Sequence, residues 1–533
     1  MRRGTIVLAL ACLGALAAPA VADAGEVRLA QGPAADSGQG MGAAAAHALR
    51  YGPLPADARE LAAQKRLANR ASLHGPAAGG GLLGRLLAPV SLRSWAGVFD
   101  PSGSPSDSTG AIGTTRYIEL INQEFAIYNR TSDVPLSNAT LQTLVGAAAA
   151  DAVFDPQVIW DATTGRFYYA ADWVVSAADN RVAFGFSKTS SPTTAADWCT
   201  YSVLYDNVFP DFPKLGDTAG FIFVGVNKFN AADAYLGSDV FGVSKPPNGA
   251  ITTCPDMATL EFGVGANIQT PAGAPVFTPV PANQIDSSDT GYVIGRNAGL
   301  PATRLWEVTL GANPDGTPNI PVVASPVVVP QYSAPANAPS PGFAQRIDTA
   351  DARNTQAVLA IDPARGANAF ALWTQHTVNG GAGARVRWYE INPVTRTIHQ
   401  TGAIAPAGLF AFNASISPDR QVRGATARFG RSMVVNFNTS SSTGKPAIRV
   451  VSKRGVGAVS APFLIKQSPA GYADFTCANP AVPCRWGDYS AATPDPVVPS
   501  TAAVGRVWGT NQWNLRGNTM GAPWRTWNFA VSP

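Results

Sequence analysis

Three runs near the C-terminal end decide how this chain is read: CRWGDYSAATPDP (484–496), RVWGTNQW (506–513) and WRTWNFAVS (524–532). Each is bounded by Gly, Asn, Asp or Pro, and together they are dense in aromatic and β-branched residues, the composition of short strands separated by turns. A sheet that stops after three such strands still needs an outer one, which another part of the chain must supply. A ring of sheets closed in that way is a β-propeller.

Working outward, the third of these runs has relatives upstream. FAIYNR (125–130), FGFSKT (184–189), FGVSKP (241–246), WEVTLG (306–311), YEINPV (389–394), RVVSKR (449–454) and FAVSP (529–533) share a long or aromatic residue, an apolar residue two positions on, and a polar turn. Each is preceded by a second strand-like run, among them RFYYAADW (166–173), GFIFVGVN (220–227) and SMVVNFN (432–438). Several are preceded by a third run of smaller residues that closes on Asp161, Asp362, Asp419 or Asp495, a pattern for an Asx-type turn. Seven copies of a unit of roughly sixty to eighty residues predict an all-β fold, a seven-bladed β-propeller. Because the last copy falls on a third strand, the sequence predicts that an N-terminal strand near 94–100 closes the ring.

Composition and charge narrow the function classes. The 533 residues include 52 Gly and 43 Pro, and only 14% are charged. Residues 1–22 have Arg2 and Arg3, an apolar run and a small-x-small end, which is the pattern of a signal peptide and predicts a protein secreted to the periplasm or outside the cell. No later run is apolar for long enough to form a membrane helix. The net charge of +4 comes from residues 1–90, which carry 9 Lys+Arg against 5 Asp+Glu; the remainder of the chain has 30 of each. A neutral domain without a Lys/Arg cluster excludes a nucleic-acid partner of the usual kind. The partner expected instead is an extracellular glycan or protein, bound by a monomer.

The chain divides into a signal peptide (1–22), a low-complexity leader or linker (23–90) and the propeller (91–533). Within the leader, 57–73 has the composition of one solvated helix with Asp57 at its start. Four cysteines lie beyond the signal. In an exported chain they predict two disulfides, Cys199–Cys254 and Cys477–Cys484, since neither spacing suits zinc.

The segments DPQVIWDATTGRFYYAA and DFPKLG (211–216), then RIDTADAR (346–353), NASISPD (413–419), RWGDY (485–489) and WRTW (524–527), resemble a group of exported bacterial propeller proteins over about residues 94–533. The resemblance implies the propeller fold and brings no activity with it.

For chemistry, the propeller part offers two histidines, His376 and His399, both in or beside predicted strands and read as structural. No G-x-S-x-G elbow, HExxH spacing or phosphate-cradling Gly loop occurs. Carboxylates and arginines remain. Asp155, Asp211, Lys214, Arg346, Asp348, Arg353, Arg485 and Asp488, with Gln157 and Asp351 beside them, are predicted at the entries to inner strands, near one rim of the channel. Two readings follow. Either the rim binds an extracellular ligand, or paired acids cleave a glycan in the manner of a sialidase-like glycoside hydrolase, although the sialidase Asp-box is absent. A purely structural alternative makes these residues ion pairs between blades. No cofactor is expected. The acidic turns at 99–107, 286–289 and 348–351 carry oxygen donors suited to a structural calcium.

Overall fold

The computed structural model describes residues 27–30, 54–72 and 88–533; the predicted signal peptide and the Gly-rich run at 75–81 lie outside them. Seven sheets stand around an axis, antiparallel except where Asn283–Gln284 adds in parallel to the strand Asn354–Ile361. Blades 1 to 6 begin with the inner strands Thr109–Ile112, Ala152–Asp161, Phe209–Asp217, Val276–Pro281, Asn354–Ile361 and Phe410–Pro418, and blade 7 begins with Ala491–Pro494. Each inner strand packs against the next, and that of blade 7 returns to that of blade 1, so the ring is complete. The seven sequence repeats all fall on third strands, for instance FGFSK in Asp179–Ser187 and FGVSK in Tyr235–Ser244.

Closure comes from the N-terminal side, as expected. Val90–Ala96 runs antiparallel to the third strand of blade 7, Trp524–Ser532, with Ser94 opposite Phe529. The strand lies slightly earlier than the sequence suggests. Gly97 ends it, lying against Glu119 and Thr526 with no space for a side chain. At this seam Trp95 presents its ring edge-on to Tyr117, Tyr128 and Trp508, at centroid distances of 5.6, 5.7 and 5.8 Å. Beside it, Glu119 is fully buried and accepts hydrogen bonds from Tyr128, Thr526, Asn528 and the Val98 amide.

At the ends of the inner strands the predicted Asx turns form at Asp161, Asp362 and Asp495, whose carboxylates accept from the amides of Thr163, Ala364 and Val497. Asp419 departs from the pattern and accepts from the more distant Gly430, Ser432 and Gly505 amides. Ion pairs between blades occur here. Lys245 joins Asp161 of blade 2 to Asp217 of blade 3, both at 2.8 Å, and Arg130 of blade 1 reaches Asp495 of blade 7 at 2.7 Å.

Both predicted disulfides are present. Cys199–Cys254 joins the outer strand of blade 2 to the connection after the third strand of blade 3, and Cys477–Cys484 closes the loop before RWGDY.

The leader departs from expectation. Its helix is there, as α1 (Ala58–Ser72), started by Asp57, whose side chain accepts from the Arg59 and Glu60 amides. It is not a solvated spacer. Leu61 and Ala68 on one face pack onto the propeller, while Leu67 on the other is exposed. A short strand, Arg28–Ala30, also adds to the outer edge of blade 2.

Two outcomes test this architecture. Trp95→Ala, which empties the aromatic seam, is expected to cost about 3–5 kcal/mol in urea unfolding. Replacing Cys199 and Cys254 by Ala opens a 55-residue separation and is expected to cost about 4 kcal/mol by loop entropy, read as a lower midpoint in the same titration.

Candidate functional site

The inner strands share a local irregularity that shapes the channel. Pairing slips between Phe154 and Gln157, Asp211 and Lys214, Phe277 and Val280, Asn354 and Gln356, and Phe412 and Ser415. In four of the five an L-residue sits in the left-handed region: Asp155 (φ 51°), Phe212 (φ 62°), Thr278 (φ 53°) and Asn413 (φ 47°). Such bulges re-aim side chains, and around a ring they aim them at one another.

Six of the eight predicted site residues meet at this mouth of the channel: Asp155, Asp211, Lys214, Arg353, Arg485 and Asp488, each nearly inaccessible to solvent. Arg485 holds Asp488 at 2.7 Å. Arg353 makes a two-point contact with Asp351, Nε and Nη2 at 2.8 and 2.9 Å, and Arg296 reaches the same carboxylate at 3.1 Å. The Lys214 ammonium stands 3.2 Å from the Tyr489 ring centroid and 4.0 Å from that of Phe212, and these rings meet edge-on at 5.5 Å. DFPKLG and RWGDY, far apart in sequence, thus interlock here.

Of the other two predicted residues, Asp348 borders this group, lining one small cavity with Arg353 and Asp488, and Arg346 lies outside it. Asp348 is paired with Lys65 of α1 at 2.8 Å. Arg346 does not join the cluster: it donates to the Asn337 carbonyl, since its strand carries it to the side of the mouth. Two acids escaped the sequence reading. Asp107 accepts from the Asp488 amide at 2.7 Å and from the Asn122 side chain at 2.5 Å. Asp172, in the second strand of blade 2 opposite Phe154, is wholly buried. Asp107 belongs to the acidic turn at 99–107, a signal that was visible, whereas Asp172 looks like any alternating polar residue of a strand.

Oxygens of Asp107, Asp155 and Asp488 lie within 4.8 Å of one another, and so do those of Asp155, Asp172 and Asp211. Burial pushes the Asp107 carboxyl up to about 7, with the charge of Asp155 adding to it. Burial also raises Asp155, Asp172, Asp211 and Asp488, and it lowers Lys214 against the pull of Asp155 and Asp107.

The mouth is roofed by the leader. The Leu54 amide donates to Asp211 Oδ2 at 3.1 Å, and the Leu54 carbonyl accepts from Arg353 Nη2 at 2.9 Å. Its side chain enters an apolar pocket with Phe154, Val174, Phe209, Phe229 and Phe277. Further along, Glu60 accepts from the Leu300 amide, Gln64 donates to the Leu300 carbonyl, and Asn69 accepts from the Asn337 amide. Below this roof the channel contains cavities of about 30 Å³, beside Lys214 and Gln157, and about 10 Å³, beside Arg353 and Asp488. These are spaces for single waters, whereas a small-molecule site takes about 300–1,000 Å³.

No protein-family model matches the chain, and no curated protein matches it. Among solved structures it is similar to a mutant of the Synechocystis apocarotenoid oxygenase, with 8% identity over 68% of this chain and 74% of that one and a TM-score of 0.36. It is similar also to the hemagglutinin-neuraminidase ectodomain of parainfluenza virus 5 (11% identity, 80% and 92% covered, TM-score 0.37) and to an α-L-arabinofuranosidase from Clostridium thermocellum (11%, 56% and 80%, 0.28). Likeness at this level concerns the ring of sheets and says nothing about a site.

His376 is structural, as the sequence suggests. It is fully buried, with Nδ1 3.1 Å from the Ala352 carbonyl and Nε2 3.0 Å from the Tyr389 hydroxyl. Burial, then the charge of Arg387, lowers its pKa to about 3. An unfolded histidine takes up its proton near pH 6.5, so between there and about pH 3 the unfolded chain binds the extra proton and stability falls with pH. His376→Gln is expected to flatten this fall by up to about 1.4 kcal/mol per pH unit, measured as the wild-type-minus-variant difference in urea unfolding at pH 7, 5.5 and 4.5.

Proposed function

We propose that this is an exported propeller whose channel mouth binds a polypeptide segment, and that residues 54–72 occupy that site in the form described. The observation that carries this reading is the treatment of Leu54. Its main-chain N–H and C=O are each met by a buried charged side chain, and its side chain fills an aromatic pocket. That is recognition of a peptide unit with an apolar residue, followed by recognition of a lysine at Asp348 and Asn337.

A protein ligand suits the mouth better than a glycan. Sugar binding uses open aromatic faces, and among the described residues the large exposed apolar side chains include neither Trp nor Tyr. Glycoside cleavage needs room between the acids for a sugar and a water, while here the acids crowd one another beneath Leu54. Export accords with the two disulfides.

The test keeps the whole chain. A protease site placed within residues 75–81 allows the connection between α1 and the closing strand to be cut after folding. The severed N-terminal fragment is expected to stay with the ring through gel filtration at micromolar concentration. Leu54→Ser and Lys65→Ala in that fragment should release it and lower the melting midpoint of the ring to that of the ring alone, with unfolding still cooperative. Separation of the wild-type fragment on cutting, or retention unaffected by both substitutions, removes the basis for this reading.

A further inference from the structure

The charges at the channel mouth do not balance. Asp107, Asp155, Asp172, Asp211 and Asp488 are buried together, with Lys214 and Arg485 among them. Arg296 and Arg353 share the single carboxylate of Asp351, so that group has one positive charge to spare. Asp348 is already satisfied by Lys65. With all five carboxylates ionised, two negative charges are left over among the described residues in a nearly dry interior, where an uncompensated charge costs several kcal/mol, and burial accordingly raises the pKa of each.

The surplus can be placed. Asp488 has Arg485, and Asp107 has the Asp488 amide and the Asn122 side chain. Asp211 has the Leu54 amide and lies near Arg353. Asp172 has no such partner. It is completely buried, and among the described residues neither of its carboxylate oxygens finds a hydrogen-bond donor; the Phe212 amide approaches without completing a bond. Yet one of its oxygens lies within 4.8 Å of oxygens of both Asp155 and Asp211. Two separate features bring these three acids together: the bulge after Phe154, which places Asp155 beside the strand of Asp172, and the equivalent bulge after Asp211 in the next blade. A fully buried carboxylate with no donor, aimed at two others, calls for a cation.

We propose that Asp155, Asp172 and Asp211 bind a divalent cation of the calcium type at the head of the channel. The donors are all carboxylate oxygens, without imidazole or thiolate, which selects a hard ion over zinc or copper. Magnesium keeps several of its waters and dehydrates reluctantly, so an enclosure with cavities of only about 30 and 10 Å³ nearby suits calcium better. One divalent ion also supplies the two missing positive charges. Its place is not any of the three acidic turns that the sequence pointed to, although Asp107 of the first turn lies against Asp155. This assignment shares Asp211 with the peptide reading, where that carboxylate accepts the Leu54 amide; calcium content and calcium titration test it separately from retention of the severed leader.

The experiment uses the full chain. Elemental mass spectrometry of protein purified without chelator is expected to find one calcium per chain. Stripping with a chelator should lower the melting midpoint by several degrees, and calcium at about 100 times its dissociation constant should restore it. Asp172→Asn removes one charge from the site while keeping its shape, and it is expected to weaken calcium binding by about tenfold or more in titration calorimetry. Should this variant fail to fold, the stripped wild-type chain still decides. Absence of bound metal together with no heat or midpoint shift on adding calcium overturns the proposal, as does an Asp172→Asn chain that binds calcium as tightly as wild type.

Discussion

Everything in this structure depends on one strand pairing made late in space and early in sequence: Val90–Ala96 against Trp524–Ser532. It puts strands from early and late in the chain into one sheet, so the ring cannot open without breaking that blade. The pairing fixes the circumference, so each inner strand has a neighbour on both sides and the axis is narrow. The seam is reinforced in different ways at different depths. Trp95 packs among aromatic rings, Glu119 is buried with donors from both sides of the seam, and Arg130 and Asp495 tie blade 1 to blade 7. Glu119 shows the cost of this arrangement. Burial raises its pKa, and only the surrounding hydrogen bonds offset that.

A narrow axis puts polar side chains in contact with one another. Where Asx turns end the inner strands, acids and bases alternate and cancel, as with Lys245 between Asp161 and Asp217. At the mouth they do not. The bulges there turn carboxylates from successive blades inward, and the cations present either pair with one acid or lie over aromatic rings. Such an arrangement is costly unless it has another use. The leader meets part of the cost by presenting a main-chain amide to Asp211 and a carbonyl to Arg353, and α1 then holds it in place through Lys65, Glu60 and Gln64.

What the sequence determined by itself is what depends on local pattern. The third-strand repeats, the turn aspartates at 161, 362 and 495, the start of α1 at Asp57 and both cysteine pairs follow from composition, spacing and parity, and short-range physics enforces them. The count of blades followed from the repeats, and the N-terminal closing strand followed from the count. Six of the eight proposed rim residues converge because inner-strand entries in a ring must face a common axis.

Tertiary structure decided the rest, because it depends on which residues meet across large sequence distances. Arg346 and Arg353 are alike in sequence, yet one strand places the first beside Asn337, while the second, just before the inner strand of blade 5, meets Asp351 and Leu54. Asp172 has the alternation of an ordinary strand residue, and only the slip in the neighbouring strand leaves it buried without a donor. Leu54 shows no signal at all in a low-complexity leader. Its importance comes from a pocket built by blades 2, 3 and 4, whose residues lie as much as 223 positions away, at Phe277. A sequence pattern records what a residue does to its near neighbours. Balance of charge in a closed channel is a property of the whole ring.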